Sequence, residues 1–136
     1  MMNVKITTKM EGDKSLTLTN NKQVADLNPK ELLLYATAQC TGITLHSILE
    51  KERICPKSLE IEVSGALDTE TVTARSIYTS FNVAFRIECS TMDEQAKIGR
   101  AIRLTTERYC GMIQMLRRIA PLSHEVSIVS IETVEA

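Results

Sequence analysis

Four cysteines are spread along this chain of 136 residues, and two of them sit where thiol redox chemistry could be built. Cys40 falls near the middle of eighteen residues, Leu32 to Leu49, that contain no Asp, Glu, Lys or Arg. Cys110 closes a second helical run, in Arg108-Tyr109-Cys110-Gly111-Met112. A thiol placed mid-helix in a core, with a partner thiol from a distant helix, suits redox chemistry, because a thiolate is the nucleophile and a second thiol can trap its oxidised form. Plain packing explains the same placement, since free cysteine is among the most buried residue types. Cys55, beside Pro56 at the exit of the first helix, has no partner signal, and Cys89 lies on the core phase of a strand. No two cysteines have the Cys-x-x-Cys spacing, and His46 and His124 are isolated, so neither a zinc site nor any other metal or cofactor is expected.

The elements that must hold these thiols follow from periodicity. Val4 to Met10 alternates as a half-buried strand, Glu11-Gly12-Asp13-Lys14 turns, and Leu16 with Leu18 begins the return. Asn20-Asn21 makes a second turn, and a short strand is expected around Gln23–Ala25. Asn28 caps a helix with Pro29 at its first position, and that helix runs to about Arg53, where Cys55-Pro56 ends it. Leu59, Ile61 and Val63 mark one strand, and Gly65 to Thr73 is a polar connection. Ile77, Thr79, Phe81, Val83, Phe85, Ile87 and Cys89 share the core phase of the next strand. Asp93-Glu94 opens a helix with an apolar stripe of Ile98, Ala101, Ile102, Thr105 and Tyr109. Gly111 is expected to break it before a short helix carrying Met112, Met115, Leu116 and Ile119, and Val126 to Ile131 forms the last strand. Strands and helices are segregated, so the fold class is α+β with mainly antiparallel pairing, in a single domain spanning residues 1–136.

Bulk properties narrow the function classes. The net charge is −1 with acids and bases interspersed, which leaves no electrostatic footprint for nucleic acid or an anionic membrane surface. The uncharged helix approaches the length of a membrane span, but Thr37, Gln39, Thr41, Thr44, His46 and Ser47 would be penalised in lipid. The N-terminus shows no secretory pattern, so a reducing cytoplasmic location is expected, where a disulfide is more often catalytic than structural.

Two segments resemble a known family. Asn28-Pro29-Lys30-Glu31-Leu32-Leu33 with Ala36-Thr37-Ala38-Gln39-Cys40-Thr41 is similar to the Asn-Pro-Glu-Glu-Leu…Ala…Cys helix of the OsmC/Ohr family, the osmotically inducible and organic hydroperoxide resistance proteins. Arg108-Tyr109-Cys110-Gly111-Met112 with Met115-Leu116-Arg117 is similar to its second cysteine segment. The resemblance implies antiparallel β-sheets around a long central helix, a second cysteine-bearing helix, and an intertwined homodimer with active sites at the subunit interface. It implies a cysteine-based peroxidase in oxidative-stress defence: Cys40 attacks an organic hydroperoxide, Cys110 resolves it, and an external dithiol reduces the disulfide. Ala36, Thr37, Ile43, Thr44 and Ser47 flank the Cys40 face and would line an apolar pocket with a few hydroxyls, or simply pack. His46, about 240° around the helix from Cys40, does not share that face.

The chain departs from the family at one place that matters chemically. Peroxidatic members carry a Glu ten residues before the first cysteine, paired with an N-terminal Arg, which keeps the thiol ionised. Here that position is Lys30, and residues 1–52 contain no Arg. A buried thiol has its pKa raised, so a cation must compensate; Arg108 is the first candidate and Lys30 the second. The alternative reading is a non-enzymatic OsmC-like module that binds a small apolar ligand in the dimer cleft.

An almost uncharged helix of this length cannot be covered on every side by the remaining elements of one small chain, so a second copy is expected against it. Light scattering at micromolar concentration should return the mass of a dimer; a monomer mass would remove that expectation.

Overall fold

The computed structural model describes residues 2–11, 15–19 and 22–131. Five strands, β1 (Met2–Glu11), β2 (Ser15–Leu18), β3 (Ser58–Leu67), β4 (Tyr78–Cys89) and β5 (Leu122–Ser130), join one sheet in the order β2-β1-β3-β4-β5. Every pairing is antiparallel except β4 with β5, which run parallel. Three helices, α1 (Pro29–Lys51), α2 (Met92–Leu104) and α3 (Gly111–Arg117), complete the α+β architecture. The parallel last pair follows from the α2–α3 crossover, since returning to the same sheet direction needs a long connection. The turn expected at Asn20-Asn21, and Gly12 to Lys14 of the first turn, lie outside the described residues.

The sheet is one-sided because its strands alternate. Leu59, Ile61, Val63 and Leu67 of β3 are buried beneath α1, which contributes Leu34, Ala38, Leu45 and Leu49, and Val83, Phe85, Ile87 and Cys89 of β4 are buried in the same core. On the other face Arg86 bridges Glu60 and Glu62 across the strands, and Lys5 lies 3.8 Å from Glu62. α1 meets the expectation at its start. Asn28 Oδ1 accepts from the Glu31 N–H at 2.9 Å, and Glu31 Oε1 accepts from the Asn28 N–H at 3.0 Å, a reciprocal capping box with Pro29 at the first position. Its end is set before Pro56. Arg53 takes a left-handed φ of 59°, its N–H bonds to the Glu50 carbonyl, and the Ile54 N–H reaches back to Leu49 O at 2.9 Å. This is a Schellman stop with a non-glycine residue at the left-handed position. By length and composition α1 could cross a membrane, with a mean hydropathy of 1.3 over its best window, but it packs as the core helix of the sheet.

Several expectations are corrected. Val24–Asp26 is a 3-10 turn, not a strand, closed by Asp26 folding back on the Gln23 N–H. β3 continues through Gly65 to Leu67, and β5 begins at Leu122. The phase of β4 holds only from Phe81 onward. Ala66 pairs with Ser80 but Leu67 pairs with Tyr78, so Thr79 is an extra residue; the resulting bulge turns Ile77 outward and Tyr78 inward. Tyr109, Met115 and Ile119, expected on apolar stripes, are exposed.

The bulge has a structural use. Tyr78 donates its hydroxyl to the Lys30 carbonyl at 2.7 Å, which ties β4 to the first turn of α1. Burial, with the charge of Glu31 adding to it, holds the Tyr78 phenol well above its ordinary titration range. Gly65 makes room for that ring: a Cβ there would sit 2.5 Å from Tyr78 Cδ1 and 3.2 Å from the Ser80 carbonyl. Because the ring is anchored at its far end, it cannot swing away freely. Gly65→Ala should therefore destabilise the fold by about 1–3 kcal/mol, the usual range for overpacking. Urea unfolding measures it, and an unchanged midpoint would contradict the anchoring role of Tyr78.

Candidate functional site

Cys40 lies in the middle of α1, half-buried, on the side of the helix turned from the sheet. Cys110 reaches it by a different route. After α2 the chain makes a single π turn, Thr105–Tyr109, closed by the Cys110 N–H on the Thr105 carbonyl at 3.0 Å. Cys110 itself is extended (φ −85°, ψ 105°) and is the capping residue before α3. The break thus falls on Cys110 and not on Gly111, whose missing Cβ would meet nothing within 4 Å. Such insertions of one residue into a helix are frequent at functional sites. Here the insertion leaves the Thr106 carbonyl outside the normal ladder, and two side chains from α3 satisfy it, Gln114 Nε2 at 2.9 Å and Arg117 Nη1 at 2.6 Å. The clamp secures the turn that carries Cys110.

The Cys110 side chain is fully buried, at 0% exposure, against α1. Its sulfur lies 3.4 Å from Thr41 Oγ1. Burial pushes the Cys110 thiol above its ordinary value. Hydrogen bonds from Thr41 and from the Ile113 backbone pull the other way, and Cys40, as hydrogen-bond partner and as a charge, pushes it up again. Cys40 and Cys110 are therefore neighbours with unequal environments. The buried one keeps its proton at neutral pH and can lend it, as a hydrogen bond, to the half-buried one.

The other expected residues are distributed as follows. Ile43, Thr44 and Ser47 line an apolar groove of about 440 Å³, closed on its other side by Leu104 and Tyr109 and at one end by Lys51 and Glu52. Thr44 also donates to the Cys40 carbonyl at 2.8 Å, so the groove begins one turn from the thiol. Ala36 is exposed on the same side of α1, whereas Thr37 is buried and bonds back to the Leu33 carbonyl. Arg108 stands exposed on the π turn, and Lys30 is partly buried in the first turn of α1. Ten residues separate Lys30 from Cys40, about 15 Å along the axis. His46 pairs with Glu50 at 3.1 Å. A larger hollow, about 680 Å³, lies over the polar end of the sheet between Lys5, Asn82 and Ser123 and contains neither cysteine. No disulfide joins any of the four cysteines, of which Cys55 is exposed and Cys89 buried. Among the described residues no group of three or more His, Cys, Asp or Glu is placed to hold a metal ion. Thr41, Leu104 and Tyr109 were not expected to border the site; Tyr109 was assigned to an apolar stripe instead. The only available signal for Thr41 was a hydroxyl directly after Cys40.

A two-layer fold with one long core helix, crossed by a second helix broken at a cysteine, defines a class. The profile of the OsmC-like protein family matches residues 19–125, and the chain belongs to that family. Among curated relatives, Protein YhfA of Escherichia coli K12 is 27% identical over 103 residues, covering 76% of this chain and 74% of its own. Among solved structures, an OsmC-like protein from Mycoplasma pneumoniae superposes with a TM-score of 0.62 at 15% identity, covering 94% of this chain and 96% of its own. An OsmC-like hydroperoxide resistance protein from a Jannaschia species superposes with a TM-score of 0.59 at 14% identity, covering 85% of each chain. At these identities the likeness is one of fold.

Proposed function

We propose that this protein is a homodimeric, thiol-dependent hydroperoxide reductase acting in peroxide defence in a reducing cytoplasm. The supporting observation is the meeting of a half-buried Cys40 with a fully buried Cys110 whose proton is retained. The Cys40 thiolate attacks the terminal oxygen of an organic hydroperoxide, the O–O bond breaks, and the alcohol leaves with a proton while Cys40 becomes a sulfenic acid. The Cys110 sulfur then attacks the Cys40 sulfur. A disulfide forms, and the released hydroxide takes the Cys110 proton and departs as water. An external dithiol returns both cysteines to thiols by exchange. No cofactor or metal enters this sequence.

The apolar groove from Ile43 to Tyr109 supports an alkyl-bearing substrate over a polar metabolite. The second copy covers the open side of α1, where Leu32, Ala36 and Ile43 face outward, Ile43 with 63% exposure. Arg108, two residues before Cys110, supplies the cation that keeps Cys40 reactive; Lys30, which stands where the family has Glu, is the second candidate. A binding module without catalysis is the competing reading, and the observation favouring it is the same Lys30 together with the lack of Arg in residues 1–52.

Consumption of cumene hydroperoxide in the presence of a dithiol separates the two. The wild type should turn over, Cys40→Ser should fall to the uncatalysed background, and Cys110→Ser should turn over more slowly than the wild type, limited by direct attack of the dithiol on the Cys40 sulfenic acid. Turnover that survives in Cys40→Ser would remove Cys40 as the attacking thiol, and none in the wild type would replace the enzyme by the binding module.

A further inference from the structure

Three threonines lie within two turns of Cys40 on α1, and they do not behave alike. Thr37 and Thr44 donate to the carbonyls four residues earlier, at 2.9 Å and 2.8 Å, the usual fate of a threonine inside a helix. Thr41 Oγ1 instead lies 3.4 Å from Cys110 Sγ, with both residues at 0% exposure. A hydroxyl in a dry core with a thiol for a neighbour is a directed contact, since an unpaired buried hydroxyl is expensive. Chain geometry makes it specific. Thr41 follows Cys40 directly, about 100° further around the helix, so one turn of α1 presents both a thiol and a hydroxyl to the same sulfur.

We propose that Thr41 is a positioning residue for resolution: its hydroxyl donates to Cys110 Sγ, holds that sulfur against Cys40, and stabilises it as a thiolate while the disulfide forms. The inference rests on the proposed hydroperoxide chemistry and adds a residue to its second step. A buried thiol resists ionisation, yet the attacking sulfur must shed its proton to displace hydroxide from the Cys40 sulfenic acid. Hydrogen bonds to the charged form favour that form. Once Cys110 is ionised, only the hydroxyl can be the donor in this pair, whatever the direction in the resting state. Of the neighbouring groups that carry charge, Cys40 faces Cys110 from α1, Arg117 is held on the Thr106 carbonyl, and Arg108 is exposed on the π turn. The hydroxyl therefore acts in a setting where the adjacent thiol opposes ionisation and the nearby guanidinium of Arg117 is engaged elsewhere.

Two variants separate a hydrogen bond from simple packing. Thr41→Val keeps the volume and removes the hydroxyl; Thr41→Ser keeps the hydroxyl. One measurement is the lifetime of the Cys40 sulfenic acid after one equivalent of cumene hydroperoxide, read by dimedone trapping. The other is the titration of Cys110 in a Cys40→Ser background, followed by the Cβ resonance of labelled cysteine. Thr41→Val should slow disulfide formation about tenfold and raise the Cys110 titration by about one unit, the size of one hydrogen bond to a charged group. Thr41→Ser should stay near the wild type in both. Equal slowing in the two variants with an unmoved Cys110 titration would mean packing alone and would overturn the proposal, as would wild-type behaviour of Thr41→Val. If wild-type Cys40 yields no sulfenic acid, the hydroperoxide reading fails, and with it the role in resolution. The Cys110 titration would still decide whether the hydroxyl acts on that sulfur.

Discussion

Burial of one side of α1 against β1 and β3 is the constraint on which the remaining structure depends. Leu34, Ala38, Leu45 and Leu49 sit at 0% exposure in one core with Leu59, Ile61 and Val63, which fixes the helix in rotation as well as in place. Rotation decides which side chains meet. With those four residues turned to the sheet, Thr41 and Cys40 face the second helical layer, and Ile43 and Ser47 face outward. A rotation of one residue, about 100°, would remove Cys40 from Cys110. The capping box at Asn28 and the Tyr78 anchor on the Lys30 carbonyl hold the start of the helix, and the Schellman stop at Arg53 holds its end.

The second layer answers that placement with a defect. An uninterrupted helix from Met92 to Arg117 could not turn an extended residue toward α1. The π turn at Thr105–Tyr109 and the extended backbone of Cys110 do so, and Gln114 with Arg117 neutralises the polar consequence at the Thr106 carbonyl. One thiol is thereby half-open beside a groove, and the other is closed in the core. That inequality fits the proposed division between an attacking and a resolving thiol, since oxidation favours the more exposed sulfur. The two thiols and the hydroxyl between them thus depend on two backbone devices set far apart in the chain.

Much of this was legible beforehand, and the failures have physical causes. The α+β class, the α1 start and the strands β1, β3 and most of β4 follow from period-two alternation and a strong capping signal, which local sequence carries directly. Ile77 and Thr79 were misphased because a bulge shifts the register without any change in composition. Tyr109 fell on the expected stripe of α2, but the π turn adds a residue and rotates it to 58% exposure. Gly111 attracted the break because glycine is a common breaker, whereas the tertiary position of Cys110 supplies it. Helical periodicity put Ala36, Thr37, Ile43, Thr44 and Ser47 around the Cys40 face; which of them border a groove, and that Leu104 and Tyr109 close it, needed the fold. The contact of Thr41 with Cys110 spans 69 residues of sequence and has no local signature.

The central claim is that Cys40 and Cys110 act as one redox pair. Peptide mapping under non-reducing conditions, after one equivalent of an organic hydroperoxide, tests it most directly. The account predicts a single dominant cross-link joining the peptides of Cys40 and Cys110, with Cys89 unmodified in the core. A main disulfide through Cys55 or Cys89, or oxidised protein with Cys40 and Cys110 both still free, would contradict it.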